Sequence, residues 1–311
     1  MTQISPEILK ALQEKYDAMG QDINGQLEGV LHANPINYWD YIQTDALLNL
    51  QTQRTTFPDE MVFIMYHQVN ELLFKMILWE IDQVTKSVDN ITVSFFSEKL
   101  GRISRYFDML TASFSIMRDG MDMDQYLKFR LTLSPASGFQ SAQYRKIEFS
   151  STTLNNLVDA RFREKIKDEN NLDVVFEHLY WQAAGKDHTT GNKSFTLKDF
   201  ERKYKAEFLR FIKQYKNQDL YSIFKKLPSD QQKDPKLRDA LRHYDSTVNI
   251  TWVMAHYRTA QHYLNQGKKP LEATGGSSWV KYMHPKYQRR IFFPDLWTPA
   301  ELENWGQEQP T

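Results

Sequence analysis

Apolar residues recur at steps of three and four along most of this chain, which is the spacing of one face of an α-helix. The longest such stretch begins at Thr56, where Asp59 three positions later completes a helix-start pattern, and it continues to Val84. Its apolar positions cover more of the helix circumference than a single stripe requires: Val62, Met65, Val69, Leu72, Leu73, Met76 and Ile77. The pattern therefore predicts a helix that is buried on most sides.

The same periodicity predicts helices over much of the remaining chain. Between Ser94 and Gly120 the spacing is that of a packing seam, formed by Leu100, Ile103, Phe107, Leu110, Phe114 and Met117. Further helices are expected over Met121 to Leu133, 154–166, 172–184, Thr196 to Tyr215 and Leu237 to Asn265, with a capping box at Thr298 to Glu301. Because no strand pattern, repeat or clear linker interrupts them, the prediction is an all-α helical bundle in a single domain, 1–311.

The first 35 residues have a weaker apolar pattern than the rest. Leu9, Leu12, Tyr16 and Met19 form a thin stripe that ends at Gly20. Such a stripe buries too little surface to fold alone. Residues 1–35 are therefore expected to form an arm that docks elsewhere, with another subunit as one possible surface.

Composition limits the chemistry that the chain can carry out. The 39 Lys and Arg residues balance the 39 Asp and Glu residues, so no general attraction for nucleic acid or an acidic membrane is expected. There is no Cys, hence no disulfide, thiolate metal site or cysteine nucleophile. Redox chemistry would then need a bound cofactor, and a metal would need His, carboxylate or Met ligands. No signal-peptide or membrane-span pattern is present, so a soluble, cytoplasmic protein is expected.

Two of the predicted helices carry polar side chains in positions suited to a site. His67 lies at the edge of a narrow polar wedge on the helix predicted from Thr56 to Val84, close to Phe63. It is either a core histidine or part of the wall of a site. His67 with Glu71 could form half of a metal site in a bundle, although the second pair that such a site needs is missing. Tyr126 and Arg130, four residues apart, share a helix face and could grip a carboxylate or form a structural ion pair.

Three further segments contain candidate binding groups. His256 has the small Ala255 and Ala260 nearby, so a neutral imidazole there could ligate an iron, or be an ordinary core or surface histidine. The turn around Ser137, SPASGFQS, offers backbone N–H groups at a helix start. The segment from Thr274 to Ser278, TGGSS, could fold over a polar group or act as a plain linker.

Taken together, these segments resemble the tryptophan 2,3-dioxygenase family. Four blocks carry the resemblance in order: FIMYHQ with Glu71-Leu72, Tyr126 to Arg130 followed by SPASGFQS and Gln143-Tyr144-Arg145, Trp252-x-x-x-His256-x-Arg258-Thr259, and TGGSS from Thr274. A softer match lies at Tyr38 and Tyr41. The joint match spans residues 63–278 and is specific, whereas each block alone is a weaker signal.

The resemblance implies an all-helical heme enzyme of the kynurenine pathway that cleaves the indole ring of L-tryptophan with O2 to N-formyl-L-kynurenine. It implies that His256 is the axial ligand of the iron of heme b and that His67 receives the indole N–H. Phe63 would stack on the indole, Tyr126 and Arg130 would hold the substrate carboxylate, and Thr274 would contact its ammonium or carboxylate end. Ser137 would border the heme, and Tyr38 and Tyr41 would line the remaining wall. A homotetramer is implied, with the N-terminal arm reaching a neighbouring pocket.

The chain departs from the family pattern near the substrate. Trp279 follows TGGSS where the family usually has Gly, the third block lacks an Arg commonly found after its Trp, and the connection through Lys268 to Leu271 is longer. These departures leave open a divergent member that oxidises a substituted tryptophan or inserts one oxygen atom. A helical heme-binding protein without turnover is the alternative from another class.

Overall fold

The computed structural model describes residues 4–133, 138–186, 190–264 and 283–307. These residues are mainly helical, which confirms the all-α prediction. Over the described ranges, extended pairing is confined to two isolated bridges, Val158 with Leu179 and Lys186 with Lys193. None of the helices in these ranges is long and apolar enough to cross a membrane.

The chain divides into two compact units, Met1–Gln51 and Thr52–Thr311. The first unit contains α1 (Pro6–Ala18), α2 (Ile23–His32), α3 (Tyr38–Ile42) and α4 (Thr44–Leu48). Among its described residues only Ile23 is buried, while apolar side chains such as Val30, Leu31 and Leu48 are exposed. The predicted arm, 1–35, lies inside this unit, and its docking on another subunit stays a prediction.

The second unit contains the larger helices and the hydrophobic core. In chain order they are α5 (Pro58–Lys86), α6 (Val93–Arg118), α7 (Met123–Phe129), α8 (Ala142–Ser151), α9 (Leu172–Glu177), α10 (Phe195–Tyr215), α11 (Leu220–Lys226), α12 (Ser229–Gln232), α13 (Pro235–Ser246) and α14 (Trp252–Leu264). Short helices follow at Pro285–Gln288 and Pro299–Glu303, the latter with the predicted capping box. A π-helical turn, Thr247–Thr251, joins α13 to α14 within the predicted long helix.

Helix α6 lies at the centre of this unit because its predicted seam is apolar along its whole length. Leu100, Ile103, Phe107 and Leu110 are fully buried, and Phe114 and Met117 nearly so. The helix packs against α5, α13 and α14, while α5 also contacts α7 and α8. Thr92 begins α6 by accepting a hydrogen bond from the N–H of Phe95. The seam thus holds together the helices that carry most of the candidate residues.

Two predictions about α5 were wrong. The helix begins at Pro58, after Phe57, and no side chain caps it. Glu60 in its first turn accepts hydrogen bonds from the N–H groups of Arg54 and Thr55 and so holds the preceding segment against the helix start. The helix is also not buried on most sides, since Met65, Val69, Leu72 and Met76 are 43–46% exposed. Its core face is narrower than the sequence predicts, and a second apolar stripe faces outward.

The helix predicted over 154–166 was wrong as well. The chain forms a 3-10 turn at Leu154–Leu157 and then a series of turns. Asp159 accepts hydrogen bonds from the backbone N–H and the guanidinium of Arg161, a local turn interaction that competes with helix formation. The region 172–184 is only partly helical, with α9 followed by a 3-10 segment, Tyr180–Gly185.

Candidate active site

A cavity of about 350 Å³ lies among α5, α6, α7, α8 and α14 of the second unit. Its size is within the range of pockets for small molecules and cofactors. Its wall is rich in aromatic side chains: Phe63, Tyr66, Phe74, Phe114, Tyr126, Phe139, Tyr144, Tyr180, Trp181, Trp252 and Tyr263. His67 and His256, which are 189 positions apart in the sequence, both line it. The fold therefore brings two candidate histidines to one largely apolar space.

His67 enters the cavity from α5. Its Nδ1 lies 2.7 Å from the carbonyl oxygen of Phe63, one turn earlier, and its ring centroid lies 4.1 Å from that of the Phe63 ring, with the planes tilted by 39°. Because a carbonyl oxygen only accepts, this contact places the imidazole proton on Nδ1 and leaves the Nε2 lone pair available. Although His67 is exposed to the cavity, the protein groups around it desolvate the ring and lower its pKa, against the raising effects of the Phe63 carbonyl and Glu71. His67 is thus a neutral hydrogen-bond acceptor at pH 7.

Glu71, next to His67 on α5, connects this wall to α8. Its carboxylate accepts hydrogen bonds from Ser141 Oγ at 2.7 Å and from Gln143 Nε2 at 2.9 Å. Ser141 also caps α8 by accepting from the N–H of Tyr144. Glu71 therefore holds the start of α8 against α5, and among the described residues no third His, Asp or Glu joins it and His67 in a possible metal site.

His256 enters the cavity from α14. Its ring stacks on Phe114 of α6 at 5.4 Å and lies 5.8 Å from the Trp252 ring. Burial, together with repulsion from the neighbouring His67, lowers its pKa to about 4. His256 is therefore a neutral imidazole at pH 7, the form that can donate a lone pair to a metal.

Tyr126 and Arg130 form the polar end of the site next to Phe63. The Tyr126 ring lies 6.1 Å from Phe63, and Arg130, on the 3-10 turn that follows α7, is 7% exposed. Burial raises the pKa of Tyr126, and the Arg130 guanidinium, which hydrogen-bonds to it, opposes that rise. A cation and a phenol are thus placed together where a carboxylate could enter.

The position of this pair is set by contacts between the starts of α5 and α7. The N–H of Asp122, which begins α7, donates to Asp59 Oδ2 at 2.6 Å. In return, the N–H of Asp59 donates to Gln125 Oε1 at 3.2 Å. These reciprocal hydrogen bonds fix α7 relative to the helix that carries Phe63 and His67.

Several cavity residues were missed by the sequence reasoning. Tyr263 lies 4.3 Å from the Tyr126 ring, and its hydroxyl donates to the carbonyl of Met117. Burial raises its pKa to about 12. Arg145, quoted above only as part of a motif, and Arg290 also line the cavity. Helical spacing points to Tyr263 on α14, but no local pattern marks Arg290.

The structure brings together five of the predicted site residues: Phe63, His67, Tyr126, Arg130 and His256. Tyr38 and Tyr41 lie on α3 of the first unit and are 74% and 75% exposed. Ser137 and Thr274 lie outside the described residues, as do Trp279 and the segment 268–271. The roles assigned to all of these residues stay predictions.

Comparisons with known proteins agree with the resemblance. A sequence model of the family described as Tryptophan 2,3-dioxygenase matches residues 26–273. The chain is 29% identical to the tryptophan 2,3-dioxygenase of Exiguobacterium sibiricum, over 85% of this chain and 91% of the relative. It is also 29% identical to the proteins of that name from Ruegeria sp. (86% and 92% covered) and Geobacillus thermodenitrificans (88% and 95% covered). The matched region includes every described residue discussed above for the cavity except Arg290.

Proposed function

Because the chain belongs to the tryptophan 2,3-dioxygenase family, we propose that it is a heme-dependent dioxygenase that converts L-tryptophan and O2 to N-formyl-L-kynurenine. The observation that carries the heme and residue assignments is that His67 and His256 line one aromatic cavity, with Arg130 and Tyr126 at its polar end. One imidazole is then available to a cofactor and the other to a substrate.

The cavity suits a flat aromatic cofactor that bears carboxylates. Its rings present apolar faces, and His256 supplies a neutral axial nitrogen. Three buried donors of the wall have no hydrogen-bond partner among the described residues: Trp252 Nε1, Trp181 Nε1 and Arg145 Nε. Buried donors are rarely left unpaired, and carboxylates of a bound cofactor would satisfy them. Heme meets these requirements, and when bound it supplies the iron at which dioxygen is activated.

The protein residues would act by orienting tryptophan in a space with little water. His67 Nε2 would accept the indole N–H, and Phe63, whose ring lies beside that of His67, would contact the face of the indole. Arg130 and Tyr126 would hold the carboxylate, and Thr274 would contact the ammonium or carboxylate end. Fixing the substrate at both ends would determine which carbons of the indole are presented for reaction.

The decisive experiment reconstitutes the full chain with hemin, reduces it and adds L-tryptophan with isotopically labelled dioxygen. N-formylkynurenine carrying two labelled atoms is expected. A singly labelled product would favour the oxygen-inserting alternative, and faster turnover of ring-substituted tryptophans would favour the divergent member. Heme uptake with neither product would favour the heme-binding protein without turnover.

A second measurement tests the axial ligand. His256→Ala should abolish heme retention or its normal absorption spectrum, whereas His262→Ala, an exposed histidine on the same helix, should retain both. Normal heme content and activity in His256→Ala would refute the ligand assignment.

We also propose that the first unit contacts another subunit, in keeping with a homotetramer. Its described residues expose many apolar side chains, including Ile4, Leu31 and Ile36 at 64–80%, and bury only Ile23. Exposed apolar surface of this extent is typical of an interface. Light scattering of the full chain should give the mass of four subunits, and a chain lacking residues 1–35 should give the mass of fewer than four shortened subunits. A mass equal to four shortened subunits would contradict this docking.

A further inference from the structure

A buried polar cluster outside the proposed substrate groups forms part of the cavity wall. It joins Arg145 and Glu148 of α8 with Tyr180 and with Arg290, which precedes the segment Ile291–Phe293. Glu148 is fully buried, and Arg145 and Arg290 are 4% and 5% exposed. Two guanidinium groups therefore share one carboxylate in the protein interior.

The two arginines contact Glu148 in different ways. Arg290 Nη1 donates to Glu148 Oε1 at 2.8 Å, and the Tyr180 hydroxyl donates to the same oxygen at 2.5 Å. Arg145 Nη1 instead donates to the Tyr180 hydroxyl at 2.8 Å, and it lies 3.0 Å from Glu148 Oε2 without forming a hydrogen bond. Arg145 Nε has no hydrogen-bond partner among the residues described. Arg290 is thus hydrogen-bonded to one oxygen of the Glu148 carboxylate, and Arg145 forms an ion pair with the other.

Both guanidinium groups remain charged despite their burial. Burial lowers the pKa of Arg290, but Tyr144, Tyr180 and Glu148 together outweigh it and hold that pKa well above its ordinary value. The pKa of Arg145 is likewise raised, because Glu148 and the two tyrosines outweigh burial. An uncompensated buried charge is costly, so a cluster with one excess positive charge favours a bound anion.

The nearby groups indicate where that anion would bind. Among the described residues that line the cavity, Glu71 is the only acidic one, and its oxygens already accept hydrogen bonds from Ser141 and Gln143. The Arg145 guanidinium lies over the rings of Tyr144, Tyr180 and Trp181, at 4.7–5.8 Å. The unpartnered Nε1 of Trp181 belongs to the same group. Arg130 belongs to a different group, with Tyr126 and Phe63.

We propose that Arg145 and its neighbours form a carboxylate subsite in the cavity, and that Arg290 is the positioning residue that, by also pairing with Glu148, leaves this cluster with one excess positive charge. The ligand of this subsite is a propionate of the cofactor, because the substrate carboxylate already has Arg130. This assignment rests on the proposed function. Without Arg290, the ion pair of Arg145 with Glu148 would remain and the subsite would be electrically neutral.

The test compares two porphyrins that differ only in their carboxylates. Apo full-length protein is titrated with hemin and with hemin dimethyl ester, and binding is followed by absorption. The wild type should bind hemin about 10-fold tighter or more, the effect of one charge-assisted hydrogen bond. Arg290→Met should reduce this preference to about twofold or less, while Arg290→Lys, which keeps the charge, should retain most of it. Arg289→Met, an exposed neighbour, is the matched control and should behave as the wild type.

The outcomes separate this inference from the proposed function. A wild type that binds neither porphyrin would refute the heme proposal itself. Equal affinity of the wild type for both porphyrins would refute only the carboxylate subsite, and this comparison needs no variant to fold. An Arg290→Met protein that keeps the hemin preference but loses tryptophan affinity would show that the subsite serves the substrate carboxylate, which would also overturn the inference.

Discussion

Replacing Arg130 with Met is expected to weaken tryptophan turnover without reducing heme uptake. Arg130 is 7% exposed and lines the cavity beside Tyr126, so a carboxylate bound there would be largely shielded from water. One hydrogen bond between a charged donor and a carboxylate contributes about 1.5–3 kcal/mol, and a two-pronged grip about 3–4 kcal/mol. At 1.4 kcal/mol per tenfold change, kcat/KM should fall by about 100- to 1,000-fold.

The assay that isolates this contact compares L-tryptophan with tryptamine, which lacks the carboxylate. The wild type should lose with tryptamine about the same factor that Arg130→Met loses with tryptophan. In the variant, the two substrates should differ by about threefold or less, because the carboxylate of tryptophan would no longer have a cation to bind. Lys128→Met, which removes an exposed cation of α7 two residues before Arg130, is the matched control and should leave both rates unchanged.

One pattern of results would contradict this reasoning. If Arg130→Met lowered the rates for tryptophan and tryptamine by the same factor, Arg130 would support the pocket structurally and would not grip the carboxylate. A parallel loss of hemin affinity would point in the same direction.

Three further predictions follow from the site and the core. His67→Ala should bind heme normally by absorption but lower kcat/KM for tryptophan by about 10-fold, because the acceptor for the indole N–H is removed; an unchanged rate would exclude that role. The apo protein should lose stability as pH falls from 6.5 to about 4, since the unfolded chain protonates His256 before the folded chain does. The loss should reach about 3 kcal/mol in urea unfolding, and most of it should be absent in His256→Phe, where persistence of the full slope would assign it to other groups. Phe107→Ala, at a fully buried position of α6, should cost about 3–5 kcal/mol, against about 0.5 kcal/mol or less for the exposed Met109→Ala.

The helical architecture was predictable because its signal is local. The seam of α6 repeats at helical spacing, and every member of it is buried. The capping box at Thr298 likewise depends on residues three positions apart. By contrast, the helix predicted over 154–166 failed because Asp159 bonds to Arg161 in a turn, an interaction that a weak apolar pattern does not reveal. The prediction that α5 is buried on most sides failed for another reason: periodicity identifies the apolar faces of a helix but not what covers them.

The candidate site divides in the same way. Phe63 with His67, and Tyr126 with Arg130, are pairs four residues apart, so a helix places each pair on one face and the sequence alone suggests a joint role. The cluster around Glu148 instead combines α8, a 3-10 segment and a stretch after residue 283, with sequence separations of 32 and 142 positions. No periodic pattern connects such segments, so only the fold could show that Arg290 lies beside Arg145.

The placement of α7 shows why polar contacts matter for the geometry of this site. Apolar packing against α6 fixes α5 and α14, and with them His67 and His256. Helix α7 has only seven residues, of which Phe129 is buried, so apolar contacts alone would allow it to rotate or slide. The reciprocal hydrogen bonds between Asp59 and the start of α7 remove that freedom. The distance from the proposed carboxylate grip to the proposed indole acceptor is therefore set by polar groups at two helix starts, and those groups lie outside the cavity wall itself.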